Sequence, residues 1–286
     1  MDSKVTIITG ANSGIGKETA KDLAKRGYKV IMLCRDKERG EIALQEVIDY
    51  SNNEATELHL CDLGSFEEIR QFTRGFKKRF NQLDVLINNA GVILPGYYKT
   101  KDGFELQFGV NYLGHFLLTN LLLDLLKVSD DGRIINVSSG AHKQGKIHFK
   151  DINLEKNFYF WKAYAQSKKA NILFTYELAR RLNDTNITVN CLHPGAVATS
   201  MGINRETGFG TLITRALKPF FLTPQEGAET SIYLATSNEV EGVTGKYFYK
   251  KRAIPSSKST YDELLAKKLW RYTNDLIKSR SEKNAS

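Results

Sequence analysis

Short apolar runs alternate with stretches of helical periodicity along almost the whole chain. Val5-Thr6-Ile7-Ile8-Thr9 is a compact strand-like run, a glycine-rich turn follows over Gly10 to Gly16, and Lys17–Arg26 then shows helical spacing that Gly27 stops. The cycle repeats, with strands over Lys29–Leu33, Thr56–Leu60, Val85–Ile87, Arg133–Val137, Thr188–Cys191 and Lys246–Tyr249. Helices fall between them over Lys37–Tyr50, Ser65–Phe80, Phe104–Lys127, Lys162–Leu182 and Pro224–Thr236. The strands read as continuous apolar runs, so both faces of their sheet must be covered. Strand and helix in strict alternation predict an α/β fold, a doubly wound parallel sheet of about seven strands with helices on both faces.

Two irregular segments, 138–160 and 194–222, are long for a compact domain. Both carry apolar and aromatic residues, and we expect 194–223 to form a lid over a substrate. The amphipathic stretch Tyr261–Ile277 belongs to a C-terminal helical extension over 256–280.

Of the 286 residues, 41% are hydrophobic and 26% charged, which excludes a disordered chain, a collagen-like repeat and a disulfide miniprotein. Five prolines and no Gly/Ser-rich tract leave no linker, so residues 1–286 read as one domain. The longest apolar stretch, Phe116 to Val128, is broken by Asn120 and Asp124, and no charged-then-apolar leader precedes the first strand. No stable membrane insertion is expected. Cys34, Cys61 and Cys191 show no CxxC spacing and read as buried thiols of a cytoplasmic protein. Of the net charge of +9, +6 lies in residues 250–286. Those Lys and Arg positions are not interleaved with stacking aromatics, so they read as a solvated helix face and not as a nucleic-acid site.

Glycines between a first strand and a first helix let a backbone approach a phosphate at the helix N-terminus. Thr9-Gly10-Ala11-Asn12-Ser13-Gly14-Ile15-Gly16 has GxxxGxG spacing. A triphosphate-binding loop is excluded, because its spacing is one residue shorter and a Ser or Thr, not Glu18, follows its lysine. The second strand ends Leu33-Cys34-Arg35-Asp36, where an NAD site commonly presents an acid for the ribose hydroxyls. Arg35 instead offers a permanent charge suited to a 2′-phosphate, unless Asp36 pairs with it.

Tyr-x-x-x-Lys puts a phenol and an ammonium one helical turn apart, and the ammonium favours the phenolate. The spacing occurs at Tyr97–Lys101, Tyr164–Lys168 and Tyr247–Lys251. Tyr97 follows Pro95-Gly96 in a loop, and Tyr247 lies in a strand, where four residues span roughly 13 Å. Only Tyr164–Lys168 lies in a helix.

Together these residues resemble the short-chain dehydrogenase/reductase family over nearly the whole chain and in the right order. Thr9–Gly16 matches its TGxxxGIG loop, Asp62-Leu63 its adenine contact, Asn88-Asn89-Ala90-Gly91 its NNAG stretch and Asn111 its helix asparagine. Ser139 stands 25 residues before Tyr164, Tyr-Ala-Gln-Ser-Lys closes at Lys168, and Pro194-Gly195-Ala196-Val197-Ala198-Thr199 matches the nicotinamide-binding PG motif. The retinol dehydrogenase branch is closer still. It resembles the stretch from Gly10 to Thr19, Cys34-Arg35-Asp36, Asn111-Tyr112-Leu113-Gly114-His115-Phe116, Val137–His142, His193-Pro194-Gly195 and Leu269-Trp270. Membrane-bound members of that branch carry an N-terminal apolar anchor, whereas this chain starts at the first strand.

The resemblance implies a single Rossmann-type domain that transfers a hydride between a nicotinamide and an alcohol or carbonyl carbon. Tyr164 would be the general acid/base, Lys168 would lower its pKa and hold the ribose, and Ser139, or its neighbour Ser138, would bind the substrate oxygen. Asn111 would hold a relay water. The cofactor would be NADP(H) in preference to NAD(H), held by Gly10, Asn12, Ser13, Gly14, Ile15, Gly16, Arg35, Asp62, Leu63, Asn89, Ala90, Gly91, Tyr164, Lys168, Pro194, Val197 and Thr199. No metal is implied, since His59, His115, His142, His148 and His193 lack ligand spacing. His142 is a candidate to reach substrate. Tyr97, Tyr98, Phe158, Tyr159, Phe160 and Trp161 flank the pocket and point to an apolar substrate. The resemblance also implies a homodimer or homotetramer built through the helices over Phe104–Lys127 and Lys162–Leu182. The rival reading is a non-catalytic NADP(H)-binding sensor or scaffold on the same fold.

Overall fold

The apolar runs become the strands β1 (Val5–Thr9), β2 (Lys29–Cys34), β3 (Glu57–Leu60), β4 (Val85–Asn88), β5 (Gly132–Val137), β6 (Ile187–Leu192), β7 (Tyr247–Tyr249) and β8 (Arg252–Ala253). The helices are α1 (Gly14–Lys25), α2 (Lys37–Ser51), α3 (Phe66–Arg79), α4 (Leu106–Phe108), α5 (Gly114–Leu126), α6 (Phe160–Arg181), α7 (Pro224–Thr236) and α8 (Glu263–Lys283). The computed structural model describes residues 3–197 and 222–283. The expected lid therefore lies mostly outside the described residues, as does Thr199.

The sheet order is β3-β2-β1-β4-β5-β6-β7-β8, parallel as far as β7. Chain order reverses between β1 and β4, which opens a crevice beyond their carboxyl ends. Burial follows the pleat on both faces. Ile7, Ile31, Leu33, Leu86, Ile134 and Val189 join one core beneath α3, α5 and α6. Ile8, Val30, Met32, Val85, Ile87, Ile135 and Leu192 join the other, beneath α1, α2 and α7. This two-sided burial is why the runs carry no polar alternation.

The structure differs from the sequence reading in three places. A short antiparallel strand, β8, adds an eighth member to the sheet after a turn through Lys250 and Lys251, both at positive φ (47° and 62°). Such turns favour Asn or Gly, so two lysines gave no signal. The helix expected over Phe104–Lys127 begins at Leu106 and passes through a π turn, Gly109–Leu113, before α5. The irregular segment 138–160 holds a 3₁₀ turn, Gly140–Gln144, and buries Ile147, Ile152 and Leu154.

Helix α6 is buried at every position from Ala163 to Ala179. Its outer side is covered by α8, whose Trp270 ring lies 4.8 Å from Phe116 of α5 and 5.8 Å from Phe174 of α6. Thr273 of α8 hydrogen-bonds the Tyr112 hydroxyl at 2.9 Å. Burying a ring such as Phe116 contributes about 1.5–3 kcal/mol, so α8 is part of the core and not an appendage. Among the described residues, no helix is long and apolar enough to cross a membrane.

Candidate active site

The glycine turn leaves β1 at the crevice. Gly10 has φ +65°, and a Cβ there would lie 2.9 Å from Ala90 Cα. A Cβ on Gly16 would lie 2.5 Å from both Asn89 Nδ2 and the Gly10 carbonyl, so this helix start packs directly on the chain leaving β4. Ser13 is the N-cap of α1 but makes no side-chain cap bond, and the first turn holds no acid. By contrast α2, α3 and α7 are capped by the side chains of Asp36, Ser65 and Thr223. The amides of Ser13, Gly14 and Ile15 thus have no N-cap side chain accepting from them, the arrangement an anionic pyrophosphate needs.

Thr9 ties this turn to the next strand. Its buried hydroxyl accepts from the amides of Asn89 (2.9 Å) and Ala90 (2.8 Å) and faces His115 Nε2 at 2.8 Å. With two donors already on Thr9 Oγ1, its proton goes to His115. His115 is then the Nδ1–H tautomer, donating to the Asn111 carbonyl at 3.1 Å. Burial holds the His115 pKa down at about 4, so the ring stays neutral. Gly91 follows, half-buried, on the same rim.

At the end of β2 the Cys34 thiol accepts hydrogen bonds from the Ala11 and Asn12 amides, and burial pushes its pKa up to about 11. Cys34 therefore supports the glycine turn from below. Arg35 is exposed, and no described residue forms an ion pair with it. Asp36 is occupied in capping α2, accepting from the Arg39 amide at 3.0 Å. Asp62 accepts from the Gly64 amide at 2.8 Å at the end of β3, with Leu63 buried beside it. Lys17 is paired with Glu46 and is not aimed at the loop.

The catalytic candidates meet at the carboxyl end of β5. Ser138 and Ser139 point to opposite sides, as a strand end dictates. Ser138 Oγ donates to the Lys168 carbonyl at 2.7 Å and is spent inside α6. Ser139 Oγ hydrogen-bonds the Tyr164 hydroxyl and also accepts from the Ala141 amide at 3.2 Å. The structure thus places Ser139, and not Ser138, against Tyr164. One turn along α6, Lys168 is 1% exposed, and its Nζ donates to the Val137 carbonyl at 2.9 Å and lies 5.7 Å from the Tyr164 ring centre. Burial lowers the Lys168 pKa to about 8. In the chain by itself burial also raises that of Tyr164, opposing the lowering expected from the ammonium.

Asn111 has its side chain fully engaged. Its Oδ1 accepts from the Val92 amide (2.8 Å), and its Nδ2 donates to the Val92 carbonyl (3.0 Å) and to Ser167 Oγ (3.1 Å). The Asn111 backbone carbonyl in turn receives His115 at 3.1 Å. On the opposite wall, Gly195 (φ +92°) follows half-buried Pro194, and Val197 and Ile15 both lie against Gly227. His142 corrects the sequence reading. It is 0% exposed, holds the Ser139 carbonyl through Nδ1 at 2.7 Å, and does not face substrate space. Of the flanking aromatics, Tyr97 packs edge-on to Phe158 at 5.1 Å, Tyr159 lies against Phe160 at 5.0 Å, and Trp161 lies 5.8 Å from Tyr164. The Trp161 indole donates to Gln144 Oε1 at 2.7 Å.

A glycine cradle that a Cβ would fill, a helix start whose N-cap serine makes no side-chain cap bond, and a serine at the end of β5 facing a tyrosine and lysine of α6 fit a nicotinamide dinucleotide. The short chain dehydrogenase family model matches residues 4–208, and the chain belongs to that family. Within it the chain falls in the retinol dehydrogenase-like branch. It is 49% identical over 282 residues to retinol dehydrogenase 14 of Mus musculus, covering 94% of this chain and 84% of that protein. Among solved structures, an uncharacterised protein from Mycobacterium Paratuberculosis is 34% identical with a TM-score of 0.77, over 96% of this chain and 93% of that one. A short chain dehydrogenase from Escherichia coli, solved with NADPH, is 25% identical with a TM-score of 0.69, over 88% of this chain and 98% of that one.

Proposed function

We propose that this oxidoreductase uses NADP(H) and transfers a hydride to or from the carbonyl or alcohol carbon of an apolar substrate. The observation that carries the reading is the hydrogen bond between the Tyr164 hydroxyl and Ser139 Oγ beside the buried Lys168. The nicotinamide supplies or accepts the hydride when bound. In reduction, Tyr164 gives its proton to the oxygen that gains negative charge, and Ser139 donates a hydrogen bond to the same oxygen. Lys168, as ammonium, favours the phenolate left behind. In oxidation the same groups run in reverse.

Gly10, Asn12, Ser13, Gly14, Ile15 and Gly16 would hold the pyrophosphate, Asp62 and Leu63 the adenine, and Asn89, Ala90 and Gly91 the floor of the site. Pro194, Val197 and Thr199 would meet the nicotinamide. Arg35 supports NADP(H), because Asp36 is engaged elsewhere and leaves the guanidinium available. The rim of Tyr97, Phe158 and Trp161 supports an apolar substrate, as does similarity to enzymes named for retinol. Three buried free cysteines support a cytoplasmic setting. A homodimer or homotetramer would carry α8 as its outer layer, since Trp270 covers Phe116 and Phe174.

Turnover of a panel of aldehydes, ketones and retinoids with each nicotinamide tests this. The expected result is repeated turnover of apolar members with NADPH. Cofactor binding without turnover of any member would replace the enzyme with a sensor.

A further inference from the structure

We infer that His142 is a positioning residue that fixes Ser139 for catalysis, as one end of a ring stack that also holds the Pro194-Gly195 loop. The inference rests on the proposed role of Ser139. His142 is fully buried, and both ring nitrogens are committed. Nδ1 donates to the Ser139 carbonyl at 2.7 Å, and Nε2 accepts from the Ser257 amide at 3.1 Å. The Ser257 amide can only donate, so it dictates which nitrogen of the ring carries the proton. The His142 ring meets Tyr247 edge-on at 5.0 Å, and Tyr247 stacks on His193 at 5.6 Å. His193 in turn stacks on Tyr249 at 4.1 Å, and its Nδ1 accepts from the Gly195 amide at 3.3 Å.

Each histidine therefore grips one backbone group of the site, and Tyr247 sets the distance between them. Neither grip is reproduced by packing alone. The Ser139 carbonyl also accepts from the His142 backbone amide at 3.1 Å and is followed at once by the exposed Gly140, so without Nδ1 the turn carrying Ser139 Oγ keeps that backbone bond and loses the shorter one. A small displacement of an aligned donor costs rate and leaves binding largely unaffected.

Two substitutions separate the grips. Asn at position 142 places an amide N–H near the Nδ1 position and keeps the tether to Ser139, while Gln reaches the Ser257 amide and abandons Ser139. The account predicts that His142→Gln lowers kcat about tenfold with substrate KM and NADPH affinity little changed, whereas His142→Asn retains most of kcat, although both lose stability. Equal losses in the two variants, a change confined to KM, or wild-type kcat in His142→Gln would overturn it. Should a variant not fold, Ser257→Pro asks the same question with His142 intact. The φ of −65° at Ser257 suits proline. Removing that amide leaves the Nδ1–H bond to the Ser139 carbonyl as the grip that remains, so kcat should stay near wild type, as in His142→Asn, and a loss of kcat equal to the roughly tenfold expected for losing the Ser139 tether overturns the inference. Ser139→Ala is measured alongside. If it keeps wild-type kcat, the role of Ser139 fails; if it loses activity while His142→Gln does not, only the positioning role fails.

Discussion

Replacing Thr9 by valine keeps the volume and shape of the side chain and deletes one oxygen. That oxygen accepts from the amides of Asn89 and Ala90 and bonds the buried His115 ring. A buried group stripped of its partner costs about 1–3 kcal/mol. Asn89 and Ala90 are half-exposed, so water can reach their amides once the segment shifts, and each contributes at the low end. His115 is 2% exposed, and its Nε2 bears the larger cost. The sum is about 3 kcal/mol, a large share of the roughly 5–15 kcal/mol that holds a domain together. Urea unfolding at neutral pH, read by tryptophan fluorescence, measures it against Thr9→Ser, which keeps the hydroxyl and should lose about 1 kcal/mol. NADPH affinity should fall in the valine variant and not in the serine variant. A Thr9→Val loss below about 1 kcal/mol would refute the claim that this oxygen joins the glycine turn to the floor of the site.

Arg35→Ala should lower kcat/KM for NADPH and leave that for NADH nearly unchanged. A charge-assisted bond of roughly 1.5–3 kcal/mol sets a 10- to 150-fold preference, and the exposure of Arg35 puts the expected value near about tenfold, shrinking in high salt; an unaltered NADPH/NADH ratio would remove Arg35 from the ribose. The buried His115 gives a pH dependence. Its folded pKa of about 4 lies below the ordinary value of 6.5, so the unfolded chain binds the proton more readily. Stability should be unaffected above pH 6.5 and lost progressively down to about pH 4, by about 3 kcal/mol from this group. His115→Gln should flatten that part of the acid limb, and an identical limb in both proteins would contradict the assignment.

The layered fold was readable because strands covered on both faces must be apolar throughout, and the helices between them carry their own stop signals. Pro224 after Thr223, with Glu226 closing a capping box, sets the start of α7 at the residue the pattern predicts. What the pattern could not carry is contact between residues distant in the chain. Ser138 and Ser139 are chemically identical in the sequence, and only the packing of Ser138 against the Lys168 carbonyl separates them. His142 stands three residues past Ser139, where nearness in sequence pointed to substrate. Its partner is the Ser257 amide, 115 residues away, and no local pattern foretells that. Cys34 was legible as the position where an acid is missing, but its bonds to the Ala11 and Asn12 amides depend on a turn whose path only the fold defines. The signal that would have found His115 was Thr9 itself, a buried hydroxyl at a strand end that needs partners.

The most direct measurement is single- and multiple-turnover reduction of an apolar aldehyde by Tyr164→Phe, with NADPH binding followed in the same samples by fluorescence. Phenylalanine keeps the ring against Trp161 and removes only the hydroxyl that bonds Ser139. The account predicts a fall in turnover of about 100-fold or more with NADPH affinity within about twofold of wild type, because general acid catalysis is typically worth 10²–10⁴-fold. Turnover above about a tenth of wild type, in a variant that binds NADPH normally, would contradict Tyr164 as the proton donor.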